Sequence, residues 1–257
     1  CPAPERILVA MESNRGLLLY SLLEAGYQVY LINPKAVDRY RDRYRMSSSK
    51  SDSLDAKVLA HILRTDLHLY RPLPKEVLVD EQLQRLTRAH KTLGEHKVKL
   101  VNEITNELKN YYPVALDLFC DLDQKITLTF LERYPAPGKA AAASMKELEV
   151  FFRTQHYCRP DKVPFIYESL QKPALRVSAN LEQIHEKIVL ALVQVLRTVL
   201  DQLNGLEKQI AIEFKRNPAY IIFSSLPTGA VTAARLNGEI GSVASRYPTP
   251  MVLQGQG

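Results

Sequence analysis

Apolar positions change period along the chain, and each change marks an element. Arg6-Ile7-Leu8-Val9-Ala10-Met11 is a short apolar run closed by Glu12, as expected of a buried strand. After Ser13-Asn14-Arg15-Gly16, the residues Leu18, Leu19, Leu22 and Leu23 recur at helical spacing, and Gly26 stands where a C-cap is needed. Tyr27 to Ile32 reads as a second buried strand stopped by Asn33-Pro34. Strand, helix and strand of this size form a βαβ unit with parallel strands. A helix beginning near Lys50 follows, with Leu54, Val58, Leu59 and Ile62 on one face.

The period then lengthens. Leu83, Leu86, His90, Leu93, Lys97, Leu100, Ile104, Leu108 and Tyr111 alternate steps of three and four until the last turns, a heptad stripe interrupted by His90 and Lys97 and ended by Pro113. A second stripe follows Pro173: Leu181, Ile184 and Ile188, then, shifted by one position, Leu192, Leu196, Val199, Leu203, Leu206 and Ile210, up to Asn217-Pro218. Helices of ~35 to 40 residues would each extend some 50–60 Å, too long for one small core, so they are expected to pair with each other and with another subunit. Between them, Pro135, Pro137, Pro160 and Pro164 break the chain into short helical pieces, and Ser144 with Glu147 matches a capping box. His156, Tyr157 and Arg159 fit an aromatic cap on a helical bundle better than a nucleic-acid contact.

Ile221-Ile222-Phe223, the turn Leu226-Pro227-Thr228-Gly229, and the small-residue segment Ala230 to Leu236 form a helical hairpin. It reads either as a helix-hairpin-helix that offers backbone amides to a phosphate or as an ordinary hairpin. The fold class expected is α/β plus α. Its parts are residues 1–73 as an α/β domain, 74–217 as a helical coiled-coil and oligomerisation region, and 218–257 as the start of a further helical domain.

At 257 residues, 46% hydrophobic and 24% charged, the chain excludes wholesale disorder and a disulfide-stapled miniprotein. No run nears the ~18 uninterrupted apolar residues of a membrane helix, and no leader is visible, which leads to a cytoplasmic expectation. Cys1, Cys120 and Cys158 are odd in number and scattered, so they are read as reduced and structural. The formal charge of +6 permits a polyanionic partner without requiring one.

Local charge says more. Between Lys35 and Lys50, Lys35, Arg39, Arg41, Arg43, Arg45 and Lys50 face only Asp38 and Asp42, and Tyr40 and Tyr44 are interleaved. Arginine with tyrosine can hold phosphates and stack on bases, so this segment is either a nucleic-acid contact or a solvated basic loop. Directly after it, Asp52 and Asp55 stand three apart in the first turn of a helix, which puts their carboxylates on one side. That pair can hold a divalent cation or can simply complement the positive helix end.

Val9-Ala10-Met11-Glu12-Ser13, Val29-Tyr30-Leu31-Ile32-Asn33-Pro34, Lys50-Ser51-Asp52-Ser53-Leu54-Asp55-Ala56 and Leu226-Pro227-Thr228-Gly229 through Glu239-Ile240-Gly241 together resemble the insertion-sequence 110 transposases, also described as bridge-RNA-guided recombinases. The resemblance implies an RNase H-like, RuvC-type domain with four acidic residues, long antiparallel coiled-coil helices that mediate assembly, and a partial C-terminal helical domain. It also implies a serine nucleophile that forms a covalent phosphoserine intermediate. Glu12, Asp52 and Asp55 take the second, third and fourth acidic positions as catalytic and metal-binding residues. The first aspartate is expected before Cys1 and the serine beyond Gly257. Mg²⁺ is the implied cofactor, and DNA, a guide RNA and further copies of the chain, at least a dimer and a tetramer when active, are the implied partners. Two other readings of the same residues are a RuvC-like nuclease that cuts without a serine and a non-catalytic nucleic-acid-binding coiled-coil scaffold.

Overall fold

The first two apolar runs pair as parallel strands, β1 (Leu8–Met11) and β2 (Gln28–Leu31), with Leu8 opposite Gln28 and Met11 opposite Leu31. The computed structural model describes residues 3–13, 15–43 and 52–242. Its contacts divide the chain into two units, Cys1–Arg85 with Glu213–Gly257, and Leu86–Ile212.

In the first unit α1 (Leu17–Glu24) joins the strands and completes the expected βαβ. The helix ends because Gly26 adopts φ +90°, which lets its N–H reach the carbonyl of Leu23 (3.2 Å) while the N–H of Tyr27 reaches that of Leu22 (3.0 Å). Consecutive residues of β2 point to opposite faces. Val29 packs with Leu19 and Leu23 on one side, and Tyr30 packs with Val37, Val58 and Ile62 on the other. Both faces of the sheet are covered, which is why its strands read as unbroken apolar runs rather than alternating ones.

The basic segment differs from the loop that its charge suggested. Pro34–Arg43 is a helix, α2, started by Asn33, whose side-chain Oδ1 accepts the N–H of Lys35 at 2.9 Å. Asn33-Pro34 therefore both stops a strand and opens a helix, with proline at the first position, where it has no N–H to waste. Tyr40 is bound to this unit: its hydroxyl lies 2.9 Å from that of Thr65 and donates to Asp66. The next helix, α3 (Asp52–Asp66), buries Val58, Ile62 and Leu63.

The helix α4 (Glu76–Tyr111) starts in the first unit and continues into the second. There it is followed by α5 (Val114–Leu118), α6 (Lys125–Arg133), α7 (Pro137–Ala141), α8 (Met145–Thr154), α9 (Val163–Gln171) and the long α10 (Ala179–Arg216). His90 meets Glu207 at 3.1 Å and Glu107 meets His185 at 2.7 Å, so α4 and α10 run antiparallel. Ile104, Leu108 and Tyr111 join Val189, Val193 and Leu196 in one core with the short helices. The interruptions in the first stripe are accounted for: His90 faces Glu207, and Lys97 donates to Asp123 at 2.9 Å. The capping box of α8 forms as expected, with the Ser144 hydroxyl accepting from the N–H of Glu147. Phe119, Phe130, Tyr134, Phe151, Phe152 and Tyr157 pack at tilted and edge-on angles into an aromatic cluster, the bundle cap expected of this region. Cys120 and Cys158 are free.

The shift within the second stripe has a structural meaning. Leu181, Ile184, Ile188 and Val195 fall at i, i+3, i+7 and i+14 on α10 and stay exposed, whereas Val189, Val193 and Leu196 beside them are buried. By length and composition α10 also qualifies as a membrane span, with an 18-residue window of mean hydropathy 1.2. Its exposed and buried apolar positions form two adjacent stripes.

Back in the first unit, α11 (Tyr220–Ser224) and α12 (Ala230–Ile240) make the expected hairpin. Ala233, Ala234, Asn237 and Gly238 of α12 are buried, and a Cβ on Gly238 would stand 2.8 Å from the backbone N of Gln84 in α4.

Candidate active site

Glu12 follows the last residue of β1, at the carboxyl end of a parallel sheet, where open α/β folds place their ligands. It is exposed. The helix α3 packs against β1 and brings its first turn, with exposed Asp52 and half-buried Asp55, into the same unit. The elements that carry these carboxylates, β1 and α3, pack against each other.

Asp55 is already engaged. Arg41, on α2, donates through Nη2 to the Asp55 carboxylate and through Nη1 to Asp38 at 2.9 Å. The guanidinium is largely covered, with 17% of the side chain exposed, and its Nε is buried without a hydrogen-bond partner among the described residues. Among the described residues no group of three or more His, Cys, Asp or Glu is arranged to hold a metal ion. In kind the donors fit a hard divalent cation, since all three are carboxylates. In arrangement Asp55 is held by an internal cation instead.

The basic candidates divide accordingly. Lys35 and Arg39 are exposed on α2. Arg41 is committed to Asp38 and Asp55. Arg43 is the last residue of α2, and Arg45 and Lys50 lie outside the described residues. Reading the segment as one charged patch missed Arg41's pairing. The signal that would have found it is the i, i+3 spacing of Asp38 and Arg41, which gives the arginine a neighbour on its own helix.

Residues 3–113 match the model of a transposase family, the DEDD transposases of IS110 elements. Residues 3–113 of the chain thus carry the transposase domain of this IS110 family. It is 31% identical over 255 residues to a Streptomyces coelicolor protein described as the mini-circle transposase for IS117, covering 96% of this chain and 62% of that one. It is 37% identical over 137 residues to y4uE of Sinorhizobium fredii, described as a transposase, covering 53% of this chain and 38% of that one. The chain thus spans less than two thirds of the length of either relative. No solved structure matches it.

Proposed function

We propose that this chain is the DNA-processing part of an insertion-sequence transposase, in which Glu12, Asp52 and Asp55 form the protein's share of a divalent-metal site. The observation that supports this reading is that Glu12, at the end of β1, and the acidic first turn of α3 lie on two elements that pack together, within the region that matches the family. The βαβ unit with α2 and α3 is read as part of an RNase H-like, RuvC-type domain. Mg²⁺ held by these carboxylates would neutralise their mutual repulsion and polarise a scissile phosphate.

The chain's own residues do the rest. Glu12 and Asp52, both exposed, would offer oxygen ligands, together with the Asp55 oxygen that Arg41 does not engage. Lys35 and Arg39, exposed on α2, supply phosphate contacts beside the site. A guide RNA is proposed as partner together with DNA. A serine nucleophile, which the family resemblance puts beyond Gly257, would form a phosphoserine intermediate that conserves the phosphodiester bond energy for strand exchange. The exposed stripe Leu181, Ile184, Ile188 and Val195 is the proposed contact between copies of the chain. The test is recombination between donor and target plasmids by the element's transposase carrying Asp55→Asn or Asp52→Asn. Loss of strand cleavage with folding retained supports the reading, and wild-type recombination by either variant overturns it.

A further inference from the structure

The second unit holds a cavity of about 260 Å³ at the end of α4, lined also by α7 and by the chain that leaves α9. Val114 and Leu170 give it apolar walls, while Lys172 and Arg176, both exposed, give it two positive charges, and no acidic side chain lines it. Neither cation has an ion pair among the described residues: Lys172 Nζ lies 6.0 Å from the centre of the Phe165 ring, and Arg176 Nη1 and Glu182 Oε1 flank Gly138 without pairing. Gln171 is already used, because its side-chain amide donates to the carbonyl of Ala141 at 2.8 Å and ties the end of α9 to α7. Tyr112 lines the cavity from the protein interior; it is 1% exposed, and its hydroxyl is buried with no hydrogen-bond partner among the described residues. Its neighbour Tyr111 shows the usual arrangement, donating to the carbonyl of Pro135 at 2.6 Å. A buried hydroxyl without an acceptor carries a desolvation cost that a bound acceptor would relieve. Burial also pushes the Tyr112 hydroxyl above its ordinary pKa, so the group stays a protonated donor.

The uncommitted polar groups of this cavity are therefore all donors: one hydroxyl, one ammonium and one guanidinium. Such a set calls for an anion, and a phosphate, with several strong acceptor oxygens, can serve three separate donors better than a planar carboxylate with two. The apolar walls leave room for an organic substituent on that phosphate. We propose that the cavity binds a phosphate ester, with Lys172 and Arg176 on its charged oxygens and the Tyr112 hydroxyl donating to one of them. The same chemistry is offered by a free nucleotide and by a phosphate of a single-stranded nucleic acid. The proposal does not rest on the acidic-site reading, whose residues all belong to the first unit.

The experiment is calorimetric titration of the full chain, in phosphate-free buffer, with adenosine monophosphate, with adenosine, and with a short single-stranded oligodeoxynucleotide carrying a 5′-phosphate. The monophosphate is expected to bind saturably and adenosine at least ~10-fold more weakly, since the charged oxygens carry the recognition. Tyr112→Phe, which keeps the ring and removes only the hydroxyl, is expected to weaken monophosphate binding by ~10-fold, the effect of one hydrogen bond to a charged group. The same variant should melt no lower than the unmodified protein when no ligand is present, because it removes a buried hydroxyl that has no acceptor. Lys172→Gln with Arg176→Gln, both at exposed positions, should also weaken binding by at least ~10-fold, and Lys146→Gln, exposed on α8 and outside the cavity, should leave it within about twofold. Displacement of the monophosphate by the oligonucleotide supports a nucleic-acid phosphate as the source, and monophosphate binding that the oligonucleotide does not displace supports a free nucleotide. No saturable binding of either, adenosine bound as tightly as its monophosphate, or an affinity that Tyr112→Phe or the double variant leaves unchanged overturns the proposal. A lower melting temperature for ligand-free Tyr112→Phe overturns it as well, since the hydroxyl would then already be satisfied within the fold.

Discussion

Asp80 and Asn217, 137 positions apart, are joined by a buried hydrogen bond in which the Asn217 amide donates to Asp80 Oδ1 at 2.9 Å. The other carboxylate oxygen accepts the backbone N–H of Ser242 at 2.8 Å and its hydroxyl at 2.9 Å. Asn217 in turn accepts the N–H of Ala219 at 2.9 Å. One acidic side chain, 7% exposed, therefore fastens the start of α4 to the end of α10 and to the residue after Gly241. Asp80→Ala leaves these donors without an acceptor and is expected to cost ~2–4 kcal/mol, since hydrogen bonds to a charged group are worth about 1.5–3 kcal/mol each but are not additive. Urea unfolding checks it: the midpoint should fall without loss of the second unit's helical signal.

Gly238 lets α12 approach α4 at backbone distance. A methyl group there meets the N and Cα of Gln84 at 2.8 and 2.9 Å, and backbone cannot swing aside as a side chain can. Gly238→Ala is expected to destabilise by ~1–3 kcal/mol despite alanine's better helix propensity, a reversal of the ordinary ranking. Thermal melting that shows a stabilised Gly238→Ala protein would contradict this contact.

His156 sits at φ +52° just beyond α8, with its N–H on the carbonyl of Arg153 and the N–H of Tyr157 on that of Phe152. That is the hydrogen-bond pattern of a helix terminus that favours glycine. His156→Gly is expected to stabilise the protein by ~0.5–1 kcal/mol, a gain readable as a higher melting temperature. It should leave any nucleic-acid binding untouched.

The carboxyl group of Glu147 is held below its ordinary value of 4.5 by the backbone N–H of Ser144 and then by its hydroxyl. A depressed carboxyl contributes stability that is present above its unfolded value and lost as pH falls through the folded one. Melting curves between pH ~6 and ~3 should therefore show a component of acid destabilisation that Glu147→Gln removes. Glutamine still serves in a capping box, so the variant should fold normally at neutral pH.

What the sequence made legible follows from which interactions are local. The strands, the α1 stop at Gly26 and the capping box at Ser144 were visible because each is set by residues within a few positions. The helical state of Pro34–Arg43 was missed because Asn33-Pro34 serves both as strand breaker and as helix start, and charge outweighed capping in the reading. Glu12 and the pair Asp52 and Asp55 could be singled out, but their neighbour Arg41 could not: the contact spans fourteen positions and depends on how α2 packs on α3. The Asp80 junction was wholly invisible, since its partners come from the far end of the chain.

The last prediction separates folding from assembly along α10. Ile104 and Leu196 lie at 0% exposure in the core of the second unit, so a charge at either should unfold that unit instead of merely parting subunits, at a cost typical of an unpaired buried charge, ~3–5 kcal/mol. Val195, one position away and 50% exposed, lies on the other stripe with Ile184 and Ile188. Val195→Lys with Ile188→Lys should leave the melting temperature of the monomer unit nearly unchanged, because both side chains already face solvent. If the exposed stripe joins copies of the chain, light scattering should show the doubly substituted protein at a lower mass than the unmodified one. Equal masses, with both proteins monomeric, would remove α10 as the oligomer contact, and equal masses with both still associated would move the contact to another face.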